Sequence, residues 1–168
     1  HLRIDRAHVV GASMGGMIAQ TMAIQNRARV ASLTSIMSTP GGRRYTIGDP
    51  NALRTLLRPR PTDPAAQVEA FIDTFRVISG RGFPFPEERL RRVGELAVSR
   101  GVSPRGNARQ FAAIIESSGR RRAMLAQVRT PTLVIHGTED PLIPLRAGRA
   151  TAKHIEGAEF LPVAGMGH

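Results

Sequence analysis

The fold is decided by the stretch HVVGASMGGMIAQ, residues 8–20. A β-branched pair, Val9-Val10, breaks at Gly11. Ser13 follows, then Gly15 and Gly16, then an apolar run. A short apolar run closed by glycine reads as a buried strand, here residues 7–11, and the Met-, Ala-, Ile- and Gln-rich residues 14–27 read as a helix. A chain that turns from strand to helix within three residues needs small residues around the bend. Gly11 and Gly15 bracket Ser13 as G-x-S-x-G, a pattern that holds a serine in a strained turn with its hydroxyl clear of the sheet. The helix starts at Met14, so its first backbone N–H groups and its dipole suit a developing oxyanion beside Ser13. A dinucleotide-binding loop does not fit these glycines. G-x-G-x-x-G is absent, and after Asp5 the next acidic residue is Asp49, so none stands about twenty positions on to hold a ribose.

Working outward, RVASLTSIM (29–37) is a second β-branched run, and STPGG (38–42) breaks it. Residues 43–63 are rich in Arg, Pro and Thr, with one short helix expected at 50–58. Asp63 can cap a helix opened by Pro64, and Val68, Phe71, Ile72 and Phe75 follow at helical spacing. SGRGFPFP (79–86) is a loop. Residues 87–100 read as a second amphipathic helix with Leu90, Val93, Leu96 and Ala97 on one face. Residues 104–118 read as a third, with Phe111, Ile114 and Ile115 aligned. TPTLVIHG (130–137) is a buried strand, a helix is expected near 145–156, and a short strand at 159–163. Strands separated by helices argue for an α/β chain with a parallel sheet. The sequence divides into a core at 1–39 and 128–168 and a helical insertion at 40–127.

Composition bounds the function classes. The 168 residues suit one domain, and 41% are apolar. No run of eighteen apolar residues spans a membrane. With no cysteine, disulfides and thiolate metal sites are excluded. The net charge is +11, and of the twenty-four basic residues only Lys153 is lysine. The arginines are scattered, and aromatics are 4% of the chain, too few for base-stacking platforms, so no nucleic-acid partner is expected. His8, His136 and His154 read as structural, without metal-ligand spacing. No metal, cofactor or membrane partner is expected, and the sequence leaves the oligomeric state open. Met14 and Met17 flank the bend and are expected to line an apolar acyl or alcohol pocket.

A nucleophilic serine needs a base, and the base needs an orienting acid. VIHGTEDPLIP puts Asp140 in the loop after one strand, and PVAGMGH puts His168 in the loop after the next. Loops at the C-terminal ends of parallel strands open on one edge of the sheet, where Ser13, Asp140 and His168 can converge. Glu139 is the nearest substitute for Asp140 and ranks below it, because Asp140 stands deeper in the turn, before Pro141.

At these residues the chain resembles the α/β-hydrolase superfamily. AHVVGASMGGMIAQ, TPTLVIHGTEDPLIP and GMGH match its three catalytic segments, and the resemblance runs over the whole chain. SIMSTPG (35–41) and FRVISGRGFPFPEE (75–88) are similar to the cap region of actinobacterial esterases near the anthracycline (aclacinomycin) methylesterases. Ala12 departs from the many relatives that carry histidine there. The resemblance implies a serine hydrolase cleaving carboxylic esters through Ser13, His168 and Asp140, with the Met14 N–H in the oxyanion hole and a small-molecule ester as substrate. The rivals are an amidase, an iminopeptidase, a cofactor-free haloperoxidase, or a catalytically silent binding domain; a basic cap disfavours the iminopeptidase. The family sheet has eight strands, and four are expected here. The start at His1 and the stop at His168 lead to the expectation of a fragment without the first four strands, the second oxyanion donor and the last helix. The expected compartment is the cytoplasm, with a signal peptide left open.

Overall fold

Four strands, β1 (Ala7–Ala12), β2 (Val30–Ile36), β3 (Thr132–Gly137) and β4 (Glu159–Val163), pair in chain order into one parallel sheet. The computed structural model describes residues 3–46, 48–101 and 104–168, apart from the side chains at positions 43, 46, 104 and 105. Parallel neighbours need crossover connections. Helix α1 (Met14–Gln25) joins β1 to β2, and α7 (Leu145–His154) joins β3 to β4. Between β2 and β3 run α2 (Arg43–Thr46), α3 (Pro50–Leu56), α4 (Pro64–Ile78), α5 (Glu87–Ser99) and α6 (Pro104–Met124). The chain is therefore α/β, as its alternating pattern implies.

Local chemistry sets the helix starts. Asp49 accepts the N–H groups of Asn51 and Ala52 ahead of α3, and Asp63 accepts that of Ala66 ahead of α4, each followed by a proline in the first turn. Each cap contributes about 1 kcal/mol. The main core lies between α1, β2 and the approach to β3. There Ala19, Ala23, Ile24, Val30, Leu33, Leu125, Val128 and Ile155 pack together. Leu33 is fully buried, so its truncation to alanine should cost about 2–5 kcal/mol. A second cluster joins Met17 of α1 to Ile143, just before α7, and Ala147 of α7.

Several expectations are corrected. The buried strand expected at 7–11 is mostly exposed, because among the described residues β1 pairs with β2 alone and Val10 is 65% exposed. The apolar face expected on α5 also lies open: Val93 and Leu96 are exposed, and the close contact with α4 is made by Gly94 against Val68 and Phe71. A small residue lets the two backbones approach, and the larger side chains turn outward. On α6, Ile114 packs on the second cluster while Phe111 and Ile115 are exposed. Helix α6 continues to Met124, past the end expected at 118, and a short helix at Arg43–Thr46 lies in the Arg-, Pro- and Thr-rich stretch where the sequence implies none. Among the described residues, no helix is long and apolar enough to cross a membrane.

Candidate active site

Ser13 sits between the last residue of β1 and the first of α1, with φ 54° and ψ −120°. Non-glycine residues reach this region at a cost of about 1–3 kcal/mol, so neighbouring bonds must hold it. Its N–H donates to the Ile36 carbonyl at 2.9 Å, tying the bend to the end of β2. The glycines around it are not equivalent. A Cβ on Gly11 would lie 2.1 Å from the Gly15 carbonyl oxygen, and one on Gly16 would lie 2.6 Å from the Ser38 Cβ. A Cβ on Gly15 would meet nothing within 4 Å. The bend therefore requires glycine at 11 and 16, although the sequence pattern singles out 11 and 15.

The loops after β3 and β4 bring the other two residues to this point. The Ser13 hydroxyl donates to His168 Nε2 at 2.8 Å, and His168 Nδ1–H donates to Asp140 Oδ2 at 2.9 Å. A carboxylate only accepts, which fixes the proton on Nδ1 and leaves Nε2 free to take one. The Asp140 side chain is fully buried and that of His168 is 8% exposed. The second Asp140 oxygen accepts the N–H groups of Leu142 (2.9 Å) and Ile143 (2.8 Å). Burial works against the charge on Asp140. Hydrogen bonds to His136, His168 and the Ile143 N–H outweigh it and hold the carboxyl below its usual range. The His168 backbone N–H donates to the Ile78 carbonyl at 2.8 Å, so the end of α4 anchors the loop that carries the imidazole.

Glu139 is directed elsewhere. Its half-buried carboxylate accepts the Arg81 backbone N–H and guanidinium at 2.9 and 3.3 Å, and these bonds hold its pKa low. His136 is fully buried. Its Nε2–H donates to the Ile143 carbonyl at 2.8 Å and stands 3.5 Å from Asp140 Oδ2. Nδ1 has no partner among the described residues, and a Cβ on Gly148 would lie 2.5 Å from it. The ring thus packs against α7 while braced on the Asp140 loop, a contact between β3 and its following loop that no motif announces. His8 bonds Ser32 and His154 bonds the Ala150 carbonyl.

Ser13 and His168 open on a cavity of about 740 Å³. Its walls are Met37, Leu142, Phe71, Phe75 and Ile78, with Arg58, Pro59, Arg60 and Pro61 contributed by the segment between α3 and α4. The expectation that Met14 and Met17 line it is corrected. Met17 is 6% exposed and packs on Ile143 and Ala147, and the methionine in the wall is Met37. Met14 is the first residue of α1, where a backbone N–H has no intrahelical acceptor.

The sequence profile described as the Alpha/beta hydrolase family matches residues 1–168. The chain belongs to this family. Among curated relatives, this α/β-hydrolase is 28% identical to the rhodomycin D methylesterase DauP of Streptomyces sp. (strain C5), covering 99% of this chain and 62% of that protein. It is 29% identical to a pimeloyl-[acyl-carrier protein] methyl ester esterase of Xanthomonas campestris pv. campestris, covering 95% of this chain and 62% of that one. The enol-lactonase of Burkholderia xenovorans LB400 has a similar fold, with a TM-score of 0.71 at 22% identity over 99% of this chain and 60% of the other. The α/β-hydrolase chain thus spans about 62% of the length of the curated relatives it matches.

Proposed function

We propose that this chain carries the catalytic groups of a serine esterase, and that methyl esters of organic acids are its leading substrate class. The observation that supports it most is the continuous hydrogen-bonded relay Asp140–His168–Ser13, buried at one end and open to a large apolar cavity at the other. Ser13 Oγ attacks the acyl carbon as His168 Nε2 takes its proton. The carbonyl oxygen becomes an oxyanion and accepts the Met14 N–H. Collapse of this intermediate expels the alcohol, which receives the proton back from His168, and leaves an acyl-serine. A water molecule repeats the sequence, releasing the acid and restoring Ser13. Asp140 stays ionised throughout, orienting the imidazole and stabilising its cation. Residues 40–127 act as a cap over the site. The two curated relatives described above bear methylesterase names, which supports the methyl leaving group.

The test combines active-site labelling with a variant series. A fluorophosphonate should label the protein at Ser13, and Ser13→Ala should abolish both labelling and hydrolysis of p-nitrophenyl esters. Asp140→Asn should lower turnover about 10⁴-fold, as the wrong imidazole tautomer does in other triads, whereas Glu139→Gln should leave it within about twofold. Labelling elsewhere, or the reverse ranking of the two carboxylates, overturns the assignment.

A further inference from the structure

Ser38 lies just past the end of β2 and is 1% exposed. Its hydroxyl donates to the carbonyl oxygen of Ser13 at 2.8 Å, across 25 residues of sequence. That carbonyl already receives the N–H groups of Gly16 at 3.0 Å and Met17 at 3.3 Å. A carbonyl at the start of a helix is satisfied by such bonds, so the fold does not need a third donor there. A buried hydroxyl spent on a satisfied acceptor calls for another explanation.

The explanation lies in the planarity of the peptide unit. The Ser13 carbonyl and the Met14 N–H belong to one rigid trans plane, pointing in opposite directions. Fixing the oxygen therefore fixes the direction of the N–H. The orientation of this plane is set by ψ of Ser13, which at −120°, with φ at 54°, lies outside the common wells and would relax without restraint. Gly16 and Met17 restrain the oxygen from within the helix, Ser38 adds a restraint from outside it, and Ile36 holds the peptide on the other side of Ser13. Hydrogen bonding at the carbonyl also polarises the amide, making its N–H a stronger donor. The fit depends on Gly16: a Cβ there would lie 2.8 Å from the Ser38 hydroxyl oxygen.

We propose that Ser38 is a positioning residue for catalysis, its hydroxyl turning the Ser13–Met14 peptide so that the Met14 N–H faces the developing oxyanion. This rests on the reading of Ser13 as nucleophile and of Met14 as an oxyanion donor. It predicts a defect confined to the transition state, because substrate binding does not use the oxyanion.

The experiment compares wild type with Ser38→Ala, and first establishes by fluorophosphonate labelling that Ser13 is the nucleophile. Hydrolysis of p-nitrophenyl butyrate is resolved into kcat and KM, and the inhibition constant of 1,1,1-trifluoro-2-octanone, whose adduct with a serine carries an oxyanion, is measured beside them. Removal of a whole oxyanion donor costs about 10²–10³ in rate. Mis-aiming one should cost about 10–100-fold in kcat, with KM within threefold, a matching rise in the inhibition constant, and a melting temperature within a few degrees of wild type. Ser38→Ala with kcat and inhibition constant both within twofold of wild type overturns the proposal. So does a fall in kcat with no change in the inhibition constant, which would put the effect outside the oxyanion site. Absence of Ser13 labelling in the wild type overturns the esterase reading itself and the present inference with it.

Discussion

At the scale of the residue, the proposed chemistry rests on one strained serine and on the groups that keep it strained. The three side chains of the relay are legible in the sequence because they follow three strands of one sheet in the order Ser, Asp, His. What surrounds them is not legible. Ser38 and His136 reach the site through contacts between elements, and neither stands at a spacing that marks it. The glycine pattern is only half legible. Gly11 packs against the Gly15 carbonyl and Gly16 against Ser38, while Gly15 has open space. The three positions should therefore separate in a mutant series. Gly15→Ala should keep or raise the melting temperature, since alanine is favoured over glycine in a helix by about 0.8–1 kcal/mol. Gly16→Ala should overpack Ser38 and cost about 1–3 kcal/mol. Gly11→Ala meets backbone rather than a side chain, so the elbow must move, and fluorophosphonate labelling should fall furthest. Thermal melts and labelling rates measure this; equal effects at 15 and 16 would show that the bend is held some other way.

At the scale of the element, the start of α4 is readable because capping is local: Asp63 bonds the first turn it precedes, and Asp49, which the sequence reading does not single out, does the same ahead of α3. Burial was not readable, because it depends on which neighbour arrives. Helix α5 has a clear apolar face by spacing, yet meets α4 through Gly94 and leaves Val93 and Leu96 in solvent. Helix α6 hides a charge instead. Arg121 is 4% exposed, and its guanidinium bonds the Ser117 hydroxyl while Nε and one Nη find no partner among the described residues. Burial lowers its pKa from the ordinary guanidinium range to about 10. A cation whose folded pKa lies below its unfolded value costs stability at every pH below the folded pKa, and the cost fades only as pH rises above about 10 towards the ordinary guanidinium range. At neutral pH the full penalty is present. Arg121→Met keeps the length of the side chain and removes the charge, and replacing a poorly paired buried ion this way commonly stabilises by about 1–4 kcal/mol. The melting temperature at pH 7 should rise by about 2–4 °C for each kcal/mol gained. A fall of more than about 5 °C would show that the guanidinium is well paired in solution.

At the scale of the whole molecule, the sheet ends on a strand with one free side. β1 bonds β2 and no other strand among the described residues, and Ile4, Val10, Ile18 and Met22 are all exposed on or beside β1 and α1. An apolar edge of this kind is a template for pairing with another chain. A short apolar run closed by glycine reads as a buried strand, but β-branching reports that a residue suits a sheet and not whether a neighbour covers it. Opposing this edge is a net charge of +11, which pushes copies apart at low salt. The two forces respond oppositely to ionic strength: added salt screens the repulsion and leaves the apolar edge untouched. Sedimentation velocity on the 168-residue chain should therefore give a weight-average mass that rises between about 50 mM and 500 mM sodium chloride, a range over which the Debye length falls below about 10 Å. Val10→Lys should blunt the rise, because a lysine on an edge strand is the usual guard against such pairing. Val10 is 65% exposed, so the substitution removes little packing and the melting temperature should hold. A mass that falls with salt would point to ion pairs between copies, and a chain that stays monomeric at both concentrations would show that the β1 edge does not pair.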